Sequence, residues 1–305
     1  MARWTAADIP DLTGRTAVVT GANAGLGLEI ARQLAVHGAS VVLACRNLAK
    51  AQVAATSIRT TAPGARVSVE QLDLADLSSV ASFALSRVEA GDRLDLLINN
   101  AGLMAVDESR TVDGFEMQFG VNHLGHFALT ARLLPLLLAT PGSRVATMSS
   151  LGHRRGRLVA DDLMFDRRGY HRWNAYFQSK LANLLFTAEL QRRLSAAGAS
   201  TIAVTAHPGV SRTDLGTEGS HLSNRMMAVV PALTQSAAVG ALGMLRAATA
   251  PDVVGGQFYG PRFVALGHPV LETPSRRAQS PDDARLLWDL SADLVGLHPL
   301  VPSAA

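Results

Sequence analysis

The sequence predicts an α/β fold, a doubly wound parallel sheet of about seven strands with helices on both faces. Three observations carry that prediction. Short apolar runs alternate in order with segments of helical spacing. The runs are continuously apolar rather than alternating, as strands covered on both faces must be. Glycine, often beside proline, closes most of the helical segments and separates them from the next run.

Taken in order, residues 15–20 end in A-V-V-T between Gly14 and Gly21 and read as a buried strand. Residues 25–36 have helical spacing and stop at Gly38. Residues 40–45 are a second strand, and residues 48–61 a helix closed by Pro63-Gly64. Residues 66–72 form the third strand, residues 77–90 a helix ending at Gly91, and residues 94–99 the fourth strand. Residues 114–139 read as one long helical region, terminated by Pro141-Gly142. The fifth strand is 144–149. A helix over 173–197 ends at Gly198, the sixth strand is 201–206, and a seventh lies at 257–259. Residues 281–297, with Leu286, Leu287, Trp288, Leu290 and Leu294, read as a terminal helix. No linker or repeat interrupts the series, so one domain over residues 1–305 is expected, with right-handed crossovers.

The composition excludes several classes. Hydrophobic residues make up 48% and charged residues 17% of 305 residues, which is globular rather than disordered. The net charge of +3 is too small and too dispersed to argue for nucleic acid. The one cysteine, Cys45, permits no internal disulfide and fits a reducing compartment. The polar first ten residues suggest no secretory signal. The greasiest run, 133–138, is far below the roughly 20 residues of a membrane span. A soluble, cytoplasmic protein is expected.

The first strand runs into T-G-A-N-A-G-L-G, residues 20–27. Gly21, Gly25 and Gly27 let the backbone turn tightly, with Asn23, Ala24 and Leu26 between them. The helix that begins there directs its N–H groups and positive dipole end at a pyrophosphate. A strand before and a helix after make this a Rossmann-type dinucleotide site. Further along, N-A-Y-F-Q-S-K-L-A-N spans residues 174–183 and places Tyr176 and Lys180 four residues apart, on one helix face. The chain has two lysines, and an ammonium beside a phenol is expected to lower the phenol's pKa toward working pH.

The G-x-x-x-G-x-G spacing resembles the short-chain dehydrogenase/reductase family. The likeness extends from about Asp11 to Leu215. Thr20-Gly21 and Gly25 to Gly27 match the family's cofactor loop, and Asp73-Leu74 its adenine contact. Asn99-Asn100-Ala101-Gly102 match the N-N-A-G element, Asn122 the helix asparagine and Ser149-Ser150 the serine strand end. Tyr176 and Lys180 match Y-x-x-x-K, and Pro208-Gly209 the P-G after the sixth strand, with Thr213 a nicotinamide or phosphate contact. The resemblance implies hydride transfer between a nicotinamide and a carbonyl or alcohol. Tyr176 is then general acid or base, Lys180 also holds the ribose, Ser150 binds the carbonyl oxygen, and Asn122 holds a relay water. Ser150 is preferred to Ser149 because the family's active serine is the second of the pair. The resemblance also implies a homodimer or homotetramer.

An acid at the end of the second strand would bind the ribose hydroxyls of NAD. That place holds Ala44-Cys45-Arg46-Asn47, and Arg46 offers a charged fork for a 2′-phosphate. NADP(H) is therefore expected over NAD(H). The Ser150-to-Tyr176 separation of 26 residues, with L-G-H-R-R-G-R and Y-x-x-S-K-L-A-N, resembles the retinol-dehydrogenase-like branch. Vertebrate members of that branch carry a membrane anchor, and none is expected here. The insertion, residues 151–173, holds His153, Arg154, Arg155, Arg157, Arg167, Arg168, His171 and Arg172 against Asp161, Asp162 and Asp166. It reads either as a solvated loop or as a surface for an anionic partner, a membrane surface or an acidic substrate tail. Its histidines, like His123, His126 and His207, have no metal-ligand spacing, so no metal is expected. Residues 210–231, with Leu215, Leu222, Met226, Met227, Val229 and Val230, read as a core helix or as a flap over an apolar substrate. The alternative to an active oxidoreductase is a silent nucleotide-sensing protein on the same fold.

Overall fold

The computed structural model describes residues 3–210 and 235–298. Thr213 and nearly all of the expected 210–231 flap lie outside the described residues. The elements are β1 (Thr16–Thr20), α1 (Gly25–Val36), β2 (Ser40–Cys45), α2 (Leu48–Thr61), β3 (Val67–Gln71), α3 (Leu77–Glu89) and β4 (Leu96–Asn99). They continue with α4 (Met117–Phe119), α5 (Gly125–Ala139), β5 (Arg144–Met148), α6 (Arg172–Ala196) and β6 (Ile202–Ala206). The last four are α7 (Ala237–Thr249), β7 (Phe258–Pro261), β8 (Pro269–Glu272) and α8 (Pro281–Val295).

The described strands form one sheet in the order β3-β2-β1-β4-β5-β6-β7-β8. Pairings from β3 through β7 are parallel. Successive side chains point to opposite faces, and each face is covered. Val18, Val42, Leu97 and Val145 pack with residues of α3, α5, α6 and α8. Val19, Leu43, Ile98 and Val204 pack with residues of α1, α2 and α7. The chain winds outward from β1 to β3, then returns to the other side of β1 at β4. That reversal leaves a crevice at the carboxyl ends of β1 and β4, where ligands of such sheets bind. No helix among the described residues is long and apolar enough to cross a membrane.

Two expectations are corrected, and one element is new. The sheet has eight strands, not seven: β8 pairs antiparallel with β7, from Phe258↔Glu272 to Pro261↔Pro269. P-V-L-E is short and opens on proline, which suits an edge strand and hides it from a pattern search. The region 114–139 is not one helix. Glu116 caps α4 by accepting the N–H groups of Gln118 and Phe119 at 2.9 and 2.7 Å. A single π-turn, Gly120–Leu124, then separates α4 from α5. Helix α7 was not foreseen, because Gly240 and Gly243 weaken its helical signal. Gly243 lies against β6, where an added Cβ would be 3.3 Å from the His207 carbonyl oxygen.

Candidate active site

The loop after β1 is built for close approach. Gly21 and Gly25 have φ of +64° and +55°, conformations open to glycine at little cost. A Cβ at residue 27 would sit 2.3 Å from the Gly21 carbonyl oxygen and 2.5 Å from Asn100 Nδ2. Helix α1 starts immediately and leaves its first N–H groups facing the crevice.

Thr20 ties this loop to the next strand. Its hydroxyl oxygen accepts the N–H groups of Asn100 and Ala101, each at 2.9 Å, and lies 2.9 Å from His126 Nε2. Asn100 Nδ2 donates back to the Thr20 carbonyl at 2.9 Å. His126 Nδ1 faces the Asn122 carbonyl at 3.1 Å, which can only accept. The ring proton therefore sits on Nδ1, and Nε2 receives the Thr20 hydroxyl proton. A charged imidazolium would present a second donor to an oxygen already holding two. Burial brings His126 down to about 4, in keeping with a neutral ring.

Asn122 stands on the π-turn, a feature that recurs at functional sites. Its Oδ1 accepts the Leu103 N–H at 2.7 Å, and its Nδ2 donates to the Leu103 carbonyl and to Ser179 Oγ, each at 2.9 Å. Those bonds brace the N-N-A-G loop against α6. Asn122 Oδ1 and Lys180 Nζ meet over Gly102, where an added Cβ would lie 3.0 and 3.2 Å from them.

The two serines after β5 have different surroundings. Ser149 is buried and its hydroxyl donates to the Lys180 carbonyl at 2.8 Å. Ser150 Oγ accepts the Gly152 N–H at 3.1 Å and is hydrogen-bonded to the Tyr176 phenol. Tyr176 and Lys180 are 7% and 4% exposed. Burial raises the Tyr176 phenol above its ordinary value, and the Ser150 hydrogen bond pulls the other way. The expectation that Lys180 lowers the phenol is corrected here. Lys180 Nζ lies 5.8 Å from the Tyr176 ring centroid and 3.4 Å from the Met148 carbonyl oxygen, and burial brings the lysine itself down to about 8.

A cleft of about 320 Å³ joins these parts. Gly21, Asn23, Ala24, Gly25, Leu26 and Gly27 line one wall, with Arg46, Asn47, Asp73 and Leu74 at one end. Asn100, Ala101, Gly102, Tyr176, Lys180 and Pro208 line the remainder. Ser149 also lines it, whereas Ser150, Asn122 and Gly209 are not among its lining residues. Sequence reasoning missed Lys50, Leu103, Val121 and Met148, which also line the cleft. Lys50 could have been found, being one of two lysines and four residues beyond Arg46.

Residues 15–222 match the short chain dehydrogenase family. The chain belongs to that family. It is 43% identical to human retinol dehydrogenase 13 over 295 residues, covering 94% of this chain and 86% of that protein. It is 40% identical to human retinol dehydrogenase 12 over 289 residues, covering 94% and 88%. It also superimposes on the crystal structure of an uncharacterized protein from Mycobacterium paratuberculosis with a TM-score of 0.84. That pair shares 46% identity over 98% of this chain and all of the other. The chain is thus a retinol-dehydrogenase-like member of the family, an oxidoreductase of alcohols and carbonyls with a nicotinamide dinucleotide cofactor. The glycine cradle, into which no Cβ fits at residue 27, suits that cofactor.

Proposed function

We propose that this chain is an NADP(H)-dependent oxidoreductase that interconverts a hydrophobic carbonyl compound and its alcohol, with Tyr176 as general acid or base. The observation that carries the reading is that Tyr176 and Lys180 line the cleft together, with Ser150 hydrogen-bonded to the phenol. When bound, the nicotinamide supplies or accepts the hydride. Gly21, Gly25 and Gly27 would receive the pyrophosphate, and Lys180 the ribose hydroxyls. Ser150 hydrogen-bonds the carbonyl oxygen, and Tyr176 gives that oxygen its proton. The buried phenol carries its proton at neutral pH, the form the acid in carbonyl reduction needs, though burial by itself makes it a weaker donor than a free tyrosine. Asn122 acts by bracing the loop through Leu103 and Ser179.

The far end of the cleft supports this cofactor choice. Arg46 and Lys50 line it, and the end of β2 carries no acid. Two cations there favour a 2′-phosphate. Arg46→Asp is expected to weaken NADPH use by about 10- to 100-fold relative to NADH, the scale of one charge-assisted hydrogen bond. An unchanged preference would refute the assignment. The names of the relatives direct the substrate test to retinoids and comparable apolar aldehydes and ketones. NADPH consumption across such a panel supports the reading. Tight NADPH binding without turnover of any of them favours the nucleotide-sensing alternative.

A further inference from the structure

The basic insertion between β5 and α6 lines a second cavity. Its acids are each taken by one arginine: Asp161 by Arg167 at 3.4 Å, Asp162 by Arg168 at 3.5 Å, and Asp166 by Arg110 at 2.8 Å. Arg154 and Arg172 pair with Glu272 and Asp107, at 3.5 and 2.8 Å. Arg155 and Arg157 have no such acceptor among the described residues. Both line a cavity of about 470 Å³, together with Val159, Arg168 and Asn174, and no carboxylate lines it.

The walls of this cavity are held in place. Gly156 packs on α6 so closely that a Cβ would lie 2.5 Å from the Phe177 carbonyl oxygen. Arg277 Nη1 donates to the Gly156 carbonyl at 3.1 Å. Gly156 ends the short helical turn Leu151–Arg155 in extended backbone, and the arginines on either side of it both line the cavity. Arg168 is fixed by a 2.5 Å hydrogen bond to Gln178 Oε1 and stacks on Phe165 at 3.8 Å. The Asp162 carboxylate is occupied in holding the loop, accepting the N–H groups of Asp166, Arg167 and Arg168 at 2.7, 3.1 and 3.0 Å.

The site is separate from the cofactor cleft, with which it shares no lining residue. Asn174 and Gln178 lie two residues from Tyr176, about 200° around the helix, so they occupy the opposite face of α6. We propose that Arg155, Arg157 and Arg168 bind a phosphate monoester there. Three guanidiniums less the Asp162 carboxylate leave two positive charges, which match a phosphomonoester near its dianionic form. Planar guanidinium forks suit phosphate oxygens better than single-point cations do. The phosphate comes either from a small metabolite or from a lipid headgroup.

The test keeps the cofactor cleft filled with saturating nicotinamide dinucleotide. Glycerol 3-phosphate is then added to the wild type, to Arg155→Gln/Arg157→Gln and to Arg167→Gln, whose partner Asp161 lies off the cavity. In parallel, the proteins are floated with phosphatidylcholine vesicles with and without phosphatidic acid. At a roughly tenfold excess over Kd, glycerol 3-phosphate should raise the melting temperature by about 3 °C in the wild type and Arg167→Gln, and not in the double variant. A lipid source instead shows as flotation dependent on phosphatidic acid and lost in the double variant. Equal melting temperatures without ligand, and equal turnover, show the double variant to be folded. Responses in both arms that the double variant leaves unchanged, or no response in either arm, would overturn the proposal.

Discussion

At the scale of single residues, the cleft depends on rings that stay neutral. His126 bridges Thr20 and Asn122 only with its proton on Nδ1. His153 does the same between the Ser150 carbonyl at 2.7 Å and the Ser275 N–H at 3.3 Å. Burial brings His123, His126 and His153 down to about 3, 4 and 4. In the unfolded chain these rings take protons below about 6.5. Between that pH and about 4 the unfolded state binds more protons, so stability rises with pH and falls on acidification. Going from pH 7 to pH 5 should cost about 2 kcal/mol for each ring that resists protonation. Urea unfolding midpoints at the two pH values measure this, and a flat profile would contradict it.

Residue identity also shows where reading the sequence stopped. Tyr176, Lys180, the glycines and the N-N-A-G loop were legible because each motif is local in sequence, the pair one helical turn apart and the others at strand ends. The direction of the Tyr176 shift was not. It depends on how deeply the phenol is buried and on where Lys180 Nζ points, and both are set by contacts distant in sequence. His126 gave no signal, since its partner Thr20 is 106 residues away.

At the scale of elements, the glycine loop and α1 form one cradle with the end of β4. Gly27→Ala places a Cβ against the Gly21 carbonyl and Asn100 Nδ2 at once. Neither can retreat, because Asn100 is tied to Thr20 by two bonds. The variant should lose about 100-fold or more in dinucleotide affinity while remaining folded, since overpacking typically costs about 1–3 kcal/mol and the displaced backbone is the binding surface itself. Fluorescence titration with NADPH checks this, and wild-type affinity would contradict the cradle. The π-turn belongs to the same scale. Periodicity predicted a continuous helix over 114–139, because one extra residue in a turn barely disturbs an apolar pattern. That extra residue sits in the turn that carries Asn122.

At the scale of the whole molecule, the parallel sheet with helices on both faces was implied by strand and helix alternation, whereas the antiparallel edge was not. Strand β8 and helix α7 are defined by what they pack on, and their own sequences are weak. The terminal helix shows how remote parts hold the site. Trp288 stacks on Phe186 at 5.9 Å, meets Phe127 edge-on at 5.1 Å, and lies under the Arg193 guanidinium at 4.5 Å. It thus fastens α8 across α5 and α6, behind the cleft. Trp288→Ala should cost about 3–5 kcal/mol of stability and leave dinucleotide affinity near wild type at temperatures where the variant is folded. Lost affinity without lost stability would place α8 in the site rather than behind it.

The central claim is that Tyr176 supplies the proton in carbonyl reduction. Its most direct test is kcat for NADPH-dependent reduction of an apolar aldehyde by Tyr176→Phe, measured alongside NADPH affinity. Removing one hydroxyl should lower kcat by about 10²- to 10⁴-fold, the usual contribution of a positioned acid, with NADPH affinity unchanged. Near wild-type kcat in Tyr176→Phe would contradict the claim.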